Sequence, residues 1–343
     1  MKALVIHAPG DLRLEEHETR PPGPHEVSVK IATGGVCGSD LHYYNHGGFG
    51  TVKLKAPMIL GHEVAGHVSA VGEEVTSVKE GDLVAVSPSR PCYGCRFCDQ
   101  GQHNHCLNMR FYGSAMPWPH IQGAFRQQLV ATEAQCVVAN GLTTAEAAMA
   151  EPFAVVLHAA RTAGDLLGKR VLVTGCGPIG VLAIIAARRA GAVEIVATDL
   201  ADNALSHAAT AGADRVINTG TEADALSPYA ESKGYFDCVF ECSGSVHALT
   251  QGIQSIKPHG VIMQLGLGGD MTLPMMQITA KELQLKGSFR FHHEFQTAVD
   301  LMQAELVDLK PFVTHTVDLE NAVDAFVAAN DRHIALKTQI RFD

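Results

Sequence analysis

The feature that most constrains the fold is a glycine-rich segment, Gly175-Cys176-Gly177-Pro178-Ile179-Gly180, with the spacing G-x-G-x-x-G. It follows a β-branched run at 170–174 and precedes a run rich in Ala and Ile at 179–190. The spacing alone is a weak signal, but between a buried strand and a helix it predicts a dinucleotide-binding turn. The alternative is an ordinary glycine turn before a helix, and the strand-turn-helix context favours the nucleotide site.

Each glycine of this segment has a distinct expected role. Gly175 forms the tight turn, Gly177 lets the backbone approach a pyrophosphate, and Gly180 allows the helix to pack closely on the strand. The N-terminus of the helix offers free N–H groups and partial positive charge to the phosphates. The residues predicted to bind the pyrophosphate are Gly175, Gly177, Pro178, Ile179 and Gly180.

Asp199 is the candidate ribose-binding residue, because it ends the next predicted strand. A carboxylate about 20 residues after the glycines accepts hydrogen bonds from ribose hydroxyls. It would repel the 2′-phosphate of NADP, and residues 200–205 contain no Arg or Lys to compensate. The sequence therefore favours NAD over NADP.

The chain divides into two patterns. Up to about residue 136, short β-like runs are broken by Gly and Pro, which is typical of a compact β-rich domain. From residue 169, strands alternate with helices, which predicts a doubly wound α/β fold with a parallel sheet. We expect a first domain at 1–153, a nucleotide-binding domain at 154–289 and a C-terminal segment, 290–343, that returns to the first domain.

Four cysteines, Cys92, Cys95, Cys98 and Cys106, follow the spacing C-x2-C-x2-C-x7-C. Four thiolates can complete a closed tetrahedral zinc shell, which predicts a structural zinc in a lobe at 90–107. Disulfides are the alternative, but nothing else in the sequence indicates an oxidising compartment. The first residues lack the pattern of a secretory leader, so we expect a cytoplasmic protein.

Charge and hydropathy restrict the partners. The formal net charge of -10 argues against a nucleic-acid-binding surface, which needs a clustered basic face. The longest apolar run, at 179–187, is too short to span a bilayer. We therefore expect neither a nucleic-acid nor a membrane partner.

A second set of metal-ligand types consists of Cys37, His62, Glu63 and Glu151. Thiolate, imidazole and carboxylate suit zinc, and three protein ligands plus an exchangeable position make a catalytic site. Spacing does not establish that these residues converge. A structural histidine and a buried thiol are the alternatives.

Several motifs together resemble one family. These are Cys37-Gly38-Ser39-Asp40-x-His42, Gly61-His62-Glu63, the four-cysteine lobe, Glu151-Pro152 and the glycine segment. In this order they resemble the zinc-containing medium-chain dehydrogenases, and most closely their polyol branch, which includes sorbitol and xylitol dehydrogenases and sugar-acid relatives. Residues 55–58, 109–116 and 287–291 resemble the sugar-acid relatives. The resemblance implies a β-rich GroES-like catalytic domain joined to a Rossmann domain.

The resemblance also implies roles for single residues. Cys37 and His62 would bind a catalytic zinc together with Glu63 or Glu151, and which carboxylate binds stays open. Asp40 would orient the histidine ligand. Ser39 and His42 would carry the substrate proton to solvent, although loop polarity is their plain interpretation. Gly244, Leu265 and Gly266 would border the nicotinamide.

The substrate implied is a secondary alcohol of a sugar acid, with a neutral polyol as the alternative. Zinc would act as a Lewis acid and NAD would accept the hydride. Arg110 and Arg290 could bind the substrate carboxylate, or could be surface ion-pair partners. The resemblance implies that members specific for NAD often carry Arg shortly after the acidic residue, where this chain has Ala204, which leaves NADP open. The family also implies a homodimer or homotetramer. A zinc-knot binding protein without catalysis is the alternative from another class.

Overall fold

A computed structural model of the chain describes residues 1–222 and 224–342. These residues form two compact units. Unit 1 comprises Met1–Glu151, His292–Asp331 and the C-terminal strand from Lys337, and unit 2 comprises Pro152–Phe291 and Arg332–Leu336. Within the described residues, no helix has the length and apolar character needed to cross a membrane.

The N-terminal part of unit 1 is rich in short strands. Its strands are β1 (Lys2–Ala8), β2 (Asp11–Glu16), β3 (Glu26–Gly35), β4 (Gly48–Phe49), β5 (Val52–Lys53), β6 (Met58–Ile59), β7 (Glu63–Val71), β8 (Leu83–Val86), β9 (Ser89–Arg90), β10 (Arg110–Phe111), β11 (Gln128–Thr132) and β12 (Cys136–Val138). Its helices are α1 (Gly38–His46) and α2 (Thr144–Ala148). Both strands are buried over most of their length, and Val, Ile and Ala of β3 and β7 pack in the core, whereas Lys30 and His67 are exposed.

Unit 2 alternates helices and strands, which follows from its alternating runs of β-branched and Ala-rich sequence. Its helices are α3 (Ala150–Ala163, which begins in unit 1), α4 (Pro178–Arg189), α5 (Asp202–Thr210), α6 (Ser227–Ala230), α7 (Val246–Ser255) and α8 (Met275–Ala280). Its strands are β13 (Arg170–Thr174), β14 (Glu194–Asp199), β15 (Arg215–Asn218), β16 (Phe236–Glu241), β17 (Ile256–Gln264) and β18 (Gln284–Gly287).

In the described part of unit 2, the strands form one six-stranded sheet in the order β15-β14-β13-β16-β17-β18. Every neighbouring pair is parallel. This is the doubly wound order, and the chain reverses direction across the sheet between β13 and β16. The predicted α/β fold class is confirmed.

The C-terminal segment adds α9 (Glu294–Gln303), β19 (Val313–Asp318), α10 (Ala322–Asn330) and β20 (Lys337–Arg341) to unit 1. β20 pairs antiparallel with β3, so the sheet of unit 1 runs β12-β8-β7-β3-β20-β19, with β11 also on β3. Phe326 from α10 and Phe342 after β20 join the same buried core as Val29 and Phe125. The end of the chain therefore completes the core built by its beginning.

Candidate metal centres and nucleotide site

The turn from β3 into α1 places a thiol at a helix N-terminus. β3 ends at Gly35, and Cys37 is the N-cap residue of α1. The Asp40 carboxylate accepts a hydrogen bond from the Cys37 backbone N–H at 3.0 Å, which fixes the start of the helix. The Cys37 thiol in turn accepts a hydrogen bond from the backbone N–H of Ser39.

The register of β3 against β7 explains how distant residues meet. Gly35, at the end of β3, is paired with Glu63, the first residue of β7. Cys37 lies two residues after Gly35 and His62 lies directly before Glu63, so this pairing brings the two residues close together. One donor atom each from Cys37, His62 and Glu63 lies within 4.8 Å of the other two. A Cβ on Gly35 would lie 2.2 Å from the Glu63 carboxylate, so only glycine leaves room for this carboxylate.

Lys337 completes the charge balance of this group and was missed in the sequence. Its ammonium pairs with Glu63 and donates to the Val36 carbonyl at 3.0 Å, and both charged side chains are almost fully buried. Although burial opposes it, the charges of Glu63 and Cys37 raise the pKa of Lys337. The sequence offered no clear signal for this role, because the strand Lys337–Arg341 is mostly polar and its burial depends on the folded sheet.

Glu151 lies near this group without being part of it. Its pKa is raised to about 8, first by burial, which outweighs the opposing charge of His62, and then by the charges of Glu63 and Cys37. Burial, with Glu63, also raises the pKa of Cys37 to about 12, although the residue as a whole is only partly buried. Without a cation, this centre therefore favours a protonated thiol and a protonated Glu151.

Asp40 also connects to the histidine of the group. It is fully buried and accepts a hydrogen bond from the Gly61 N–H at 3.1 Å. Its Oδ1 lies 3.8 Å from Nδ1 of His62, which is buried and makes no hydrogen bond to the described residues. A carboxylate facing Nδ1 favours a proton on that nitrogen and leaves the lone pair of Nε2 for a metal ion.

Ser39 and His42 lie on α1 and not in a loop. Both are half-buried, one turn apart on the helix that Cys37 caps. Burial, with His46 nearby, lowers the pKa of His42. A neutral imidazole at this position can accept a proton.

The cysteine lobe gathers its four sulfurs in one cluster, with all four within 4.8 Å of one another. The sulfurs of Cys95 and Cys98 are 3.6 Å apart, and those of Cys92 and Cys106 are 3.5 Å apart. These distances exclude disulfides, whose sulfurs lie about 2.05 Å apart. They are close to the ~3.8 Å expected for a tetrahedral zinc with Zn–S bonds of about 2.3 Å.

Backbone N–H groups point at the lobe sulfurs. Leu107 N–H donates to Cys95, and the N–H groups of Cys92 and Asn108 donate to Cys106. The N–H groups of Cys98 and Leu107 lower the pKa of Cys95 to about 6. The chain therefore stabilises a thiolate at Cys95 before any metal binds, and the lobe fits a closed zinc site.

The glycine segment of unit 2 has the geometry that close packing requires. A Cβ on Gly180 would lie 1.8 Å from the Gly175 carbonyl oxygen, and Gly175 has a φ of +84°. A Cβ on Gly177, the N-cap of α4, would meet nothing within 4 Å. Pro178 and Ile179 begin α4, so this turn leaves its helix N-terminus facing open space.

Asp199 ends β14 beside this turn and is partly exposed. Its carboxylate accepts hydrogen bonds from the N–H of Cys176 at 2.7 Å and from those of Leu200 and Ala201 at 2.7 and 2.9 Å. The turn thereby fixes the orientation of the carboxylate, while its remaining lone pairs can accept from a ribose.

Glu241 supports the two loops at Gly244 and Gly266, and the sequence analysis did not identify this role. It is fully buried at the end of β16 and binds the N–H groups of Ser243 and Gly244, the Ser243 hydroxyl and the Gln264 amide. A Cβ on Gly266 would lie 2.1 Å from the Gly244 nitrogen, so the loop after Leu265 packs directly on the loop at Gly244. Glu241 therefore holds together the loops expected beside the nicotinamide.

The two candidate carboxylate-binding arginines belong to different units. Arg110 is exposed on β10 and is paired with Arg90 across the β9–β10 ribbon in unit 1. Arg290 lies in unit 2 at a φ of +55°, with its guanidinium 4.8 Å from the centre of the Phe289 ring.

Two models of known protein families match the chain. Residues 23–141 match the model for the alcohol dehydrogenase GroES-like domain. Residues 178–304 match the model for the zinc-binding dehydrogenases. The chain belongs to the zinc-binding dehydrogenase family. The predicted resemblance to this family is confirmed, and the protein is an enzyme that uses zinc and NAD(P), which rules against the zinc-knot binding protein.

Individual members of the family resemble this dehydrogenase over nearly their whole length. The L-idonate 5-dehydrogenase (NAD(P)(+)) of Escherichia coli K12 is 40% identical over 316 residues, which cover 92% of this chain and 91% of that one. The crystal structure of L-idonate 5-dehydrogenase from Escherichia coli K-12 superposes with a TM-score of 0.95, 38% identity and coverage of 99% and 98%. Human sorbitol dehydrogenase is 35% identical over 350 residues, covering 99% and 96%.

The residues present fit the metal that the family implies. The lobe offers four sulfurs at tetrahedral spacing, and the open group offers sulfur, nitrogen and oxygen donors that lie within 4.8 Å of one another. Three donors plus a free position suit a catalytic zinc, and four sulfurs suit a structural one.

Proposed function

We propose that this dehydrogenase oxidises the C5 hydroxyl of L-idonate to 5-keto-D-gluconate, reversibly and with NAD as the preferred acceptor. The observation that carries the proposal is the 40% identity to an L-idonate 5-dehydrogenase over 92% of this chain. Neutral polyols such as sorbitol or xylitol are the second candidate, because sorbitol dehydrogenases match 99% of the chain at 35–36% identity.

Cys37, His62 and Glu63 are the residues proposed to hold the catalytic zinc, with Glu151 as a carboxylate that can exchange with Glu63. Glu63 belongs to the donor group, whereas the pKa of Glu151 is raised to about 8 by burial. When bound, zinc supplies Lewis acidity that acidifies a substrate hydroxyl, and NAD supplies the hydride acceptor. Lys337 offsets the negative charge of Glu63, and Asp40 orients His62.

The substrate proton needs a route to water, and Ser39 and His42 are proposed to form it. They follow the metal-binding Cys37 on one short helix, and burial keeps the pKa of His42 low. His42 is therefore neutral at neutral pH, and it can accept the substrate proton that is passed on through the Ser39 hydroxyl.

In unit 2, the proposed nucleotide-binding residues contact the pyrophosphate, the adenosine ribose and the nicotinamide of the cofactor. The turn at Gly175, Gly177 and Gly180, with Pro178 and Ile179, binds the pyrophosphate, and Asp199 binds the adenosine ribose. Gly244, Leu265 and Gly266 border the nicotinamide, and Glu241 fixes these loops.

A spectrophotometric screen for NADH and NADPH formation tests the proposed function. The substrates are L-idonate, gluconate, sorbitol, xylitol and threonine, each with zinc present. L-Idonate with NAD should give the highest kcat/KM. A higher kcat/KM for sorbitol or xylitol would move the assignment to the polyol dehydrogenases, and no turnover of any of them would reject both candidates.

Arg290 or Arg110 is proposed to bind the substrate carboxylate. Replacing the binding arginine with Ala should lower kcat/KM for L-idonate by about 10- to 150-fold, since a charge-assisted bond contributes about 1.5–3 kcal/mol, with little change for sorbitol. Arg90→Ala is the matched control for Arg110→Ala, because the two residues are paired on the same ribbon. Equal losses for both substrates would contradict the role.

The assembly and location proposed are a homodimer or homotetramer in the cytoplasm. β18 is an edge strand of the unit 2 sheet with an exposed Leu285, and Met275 and Met276 of α8 are exposed as well. An edge strand leaves backbone N–H and C=O groups that can pair with another chain. All nine cysteines are free thiols, as in a reducing compartment. Light scattering of the purified enzyme measures the assembly.

A further inference from the structure

Three histidines gather away from both proposed zinc sites. One ring nitrogen each from His103, His292 and His293 lies within 4.8 Å of the other two. The rings of His103 and His292 stack with centres 4.0 Å apart, and the ring of His293 meets that of His292 at 4.5 Å. The cluster lies wholly within unit 1.

The cluster joins two segments that are far apart in the sequence. His103 lies in a short 3-10 helix, His103–His105, inside the cysteine lobe between Cys98 and Cys106. His292 and His293 directly precede α9, and His293 is its N-cap residue. A ligand shared by the three rings would therefore fasten the lobe to the beginning of α9.

The chemistry of the cluster favours a metal cation. Nδ1 of His103 is buried and has no hydrogen-bond partner among the described residues, and a buried polar atom of this kind calls for a partner. Burial, with the neighbouring rings of His103 and His293, lowers the pKa of His292 to about 4, so this imidazole is neutral. Neutral imidazoles are ligands for Zn²⁺, Ni²⁺ and Cu²⁺.

The distances are compatible with such a site. Nitrogens bound to one tetrahedral ion at about 2.0–2.1 Å lie ~3.3 Å apart, whereas the three donors here lie within 4.8 Å of one another. Side-chain rotations that shorten these separations by up to about 1.5 Å would bring the donors into place. His293 is exposed and His103 and His292 are half-buried, so an ion can enter from solvent and keep a fourth position for water.

We propose that His103, His292 and His293 form a third metal site that takes one divalent late transition-metal ion and clamps the cysteine lobe to α9. The site is independent of the dehydrogenase reaction and of its substrate. It adds a three-imidazole site to the four-sulfur and the sulfur-nitrogen-oxygen sites of the same unit.

The test uses the untagged full-length enzyme with its two zinc sites loaded, and Ni²⁺ as the probe. Isothermal titration calorimetry should detect one Ni²⁺ per chain, with no zinc released into a colorimetric zinc indicator. His293→Gln and His103→Gln should each weaken Ni²⁺ binding by more than about 100-fold, since loss of an outer partner alone costs 10–100-fold.

His105→Gln is the matched control, because His105 is exposed in the same 3-10 helix and lies outside the cluster. It should bind Ni²⁺ as the unchanged protein does. His293→Gln replaces an exposed side chain and should keep the zinc content and dehydrogenase activity of the unchanged enzyme, which shows that it folds. No additional Ni²⁺, Ni²⁺ binding only with zinc release, or undiminished binding by His293→Gln would overturn the proposal.

Discussion

The two cysteine sites of unit 1 use the same side chain in opposite surroundings. In the lobe, Cys95 receives backbone N–H groups, and its pKa falls to about 6. In the open centre, burial and the nearby Glu63 raise the pKa of Cys37 to about 12. Backbone N–H groups therefore favour a thiolate at Cys95, although burial raises the pKa of Cys106 in the same lobe to about 11. At Cys37, burial opposes a thiolate unless a cation is bound.

This difference corresponds to the demands of the two sites. A structural site needs only to close a loop, so four sulfurs and local N–H donors from one short segment suffice. A catalytic site keeps an exchangeable position, and its donors come from distant strands. Its excess negative charge is offset by Lys337 from the far end of the chain. The price is a buried ion pair, which is costly to desolvate.

The largest expected effect is a difference between replacing Cys37, which should lower activity, and replacing Cys95, which should lower stability. Cys37→Ser should lower kcat/KM by more than about 1,000-fold, because losing a ligand exceeds the 10–100-fold cost of losing an outer partner. Cys95→Ser should instead lower the zinc content and the Tm, since a structural zinc contributes folding energy. Steady-state kinetics, zinc analysis and thermal unfolding measure these changes. A Cys37→Ser enzyme with near-normal activity would break the comparison.

The next effect tests the charge balance of the open centre. In protein from which a chelator has removed zinc, Lys337→Met should lower the free energy of unfolding by about 3–5 kcal/mol, because it leaves the buried Glu63 carboxylate without its counter-charge. Urea unfolding measures the change in the free energy of unfolding. The double variant with Glu63→Gln should recover much of the loss, and no recovery would argue against the pair as the cause.

A smaller effect concerns the orientation of His62. Asp40→Asn should weaken zinc binding at the open centre by about 10–100-fold, as expected for a carboxylate that orients a histidine ligand. Competition with a chromophoric chelator measures this affinity. The lobe zinc serves as the internal control, and equal weakening at both sites would indicate general disruption.

The smallest expected effect is a difference in reactivity between the Cys95 and Cys37 thiols in protein from which a chelator has removed zinc. At pH 7, Cys95 should react with iodoacetamide at least about tenfold faster than Cys37, because the thiolate is the nucleophile. The rate at Cys95 should level off above its pKa of about 6, while that at Cys37 should keep rising towards its pKa of about 12. Mass spectrometry of peptides quantifies both rates, and equal rates would contradict the assigned surroundings.

Much of the architecture could be predicted because its signals are local. The buried strand expected at 170–174 coincides with β13, and the glycine segment lies at the start of α4 as predicted. Helix α1 was not predicted, since Gly38–His46 has no strong apolar periodicity. The glycine turn is visible in sequence because its spacing is set by the backbone itself.

The sequence by itself determined the family, the closed cysteine lobe and the nucleotide turn, since each depends on residues close together in the chain. Only the tertiary structure shows that the Glu63 carboxylate lies beside the donor atoms of Cys37 and His62. It also shows that Lys337 pairs with Glu63 and that Glu241 holds the loops at Gly244 and Gly266. Those contacts depend on the register of β3 against β7 and β20 and on the loops after β16 and β17. Pairing between distant strands follows from packing of the whole core, and no local pattern encodes it.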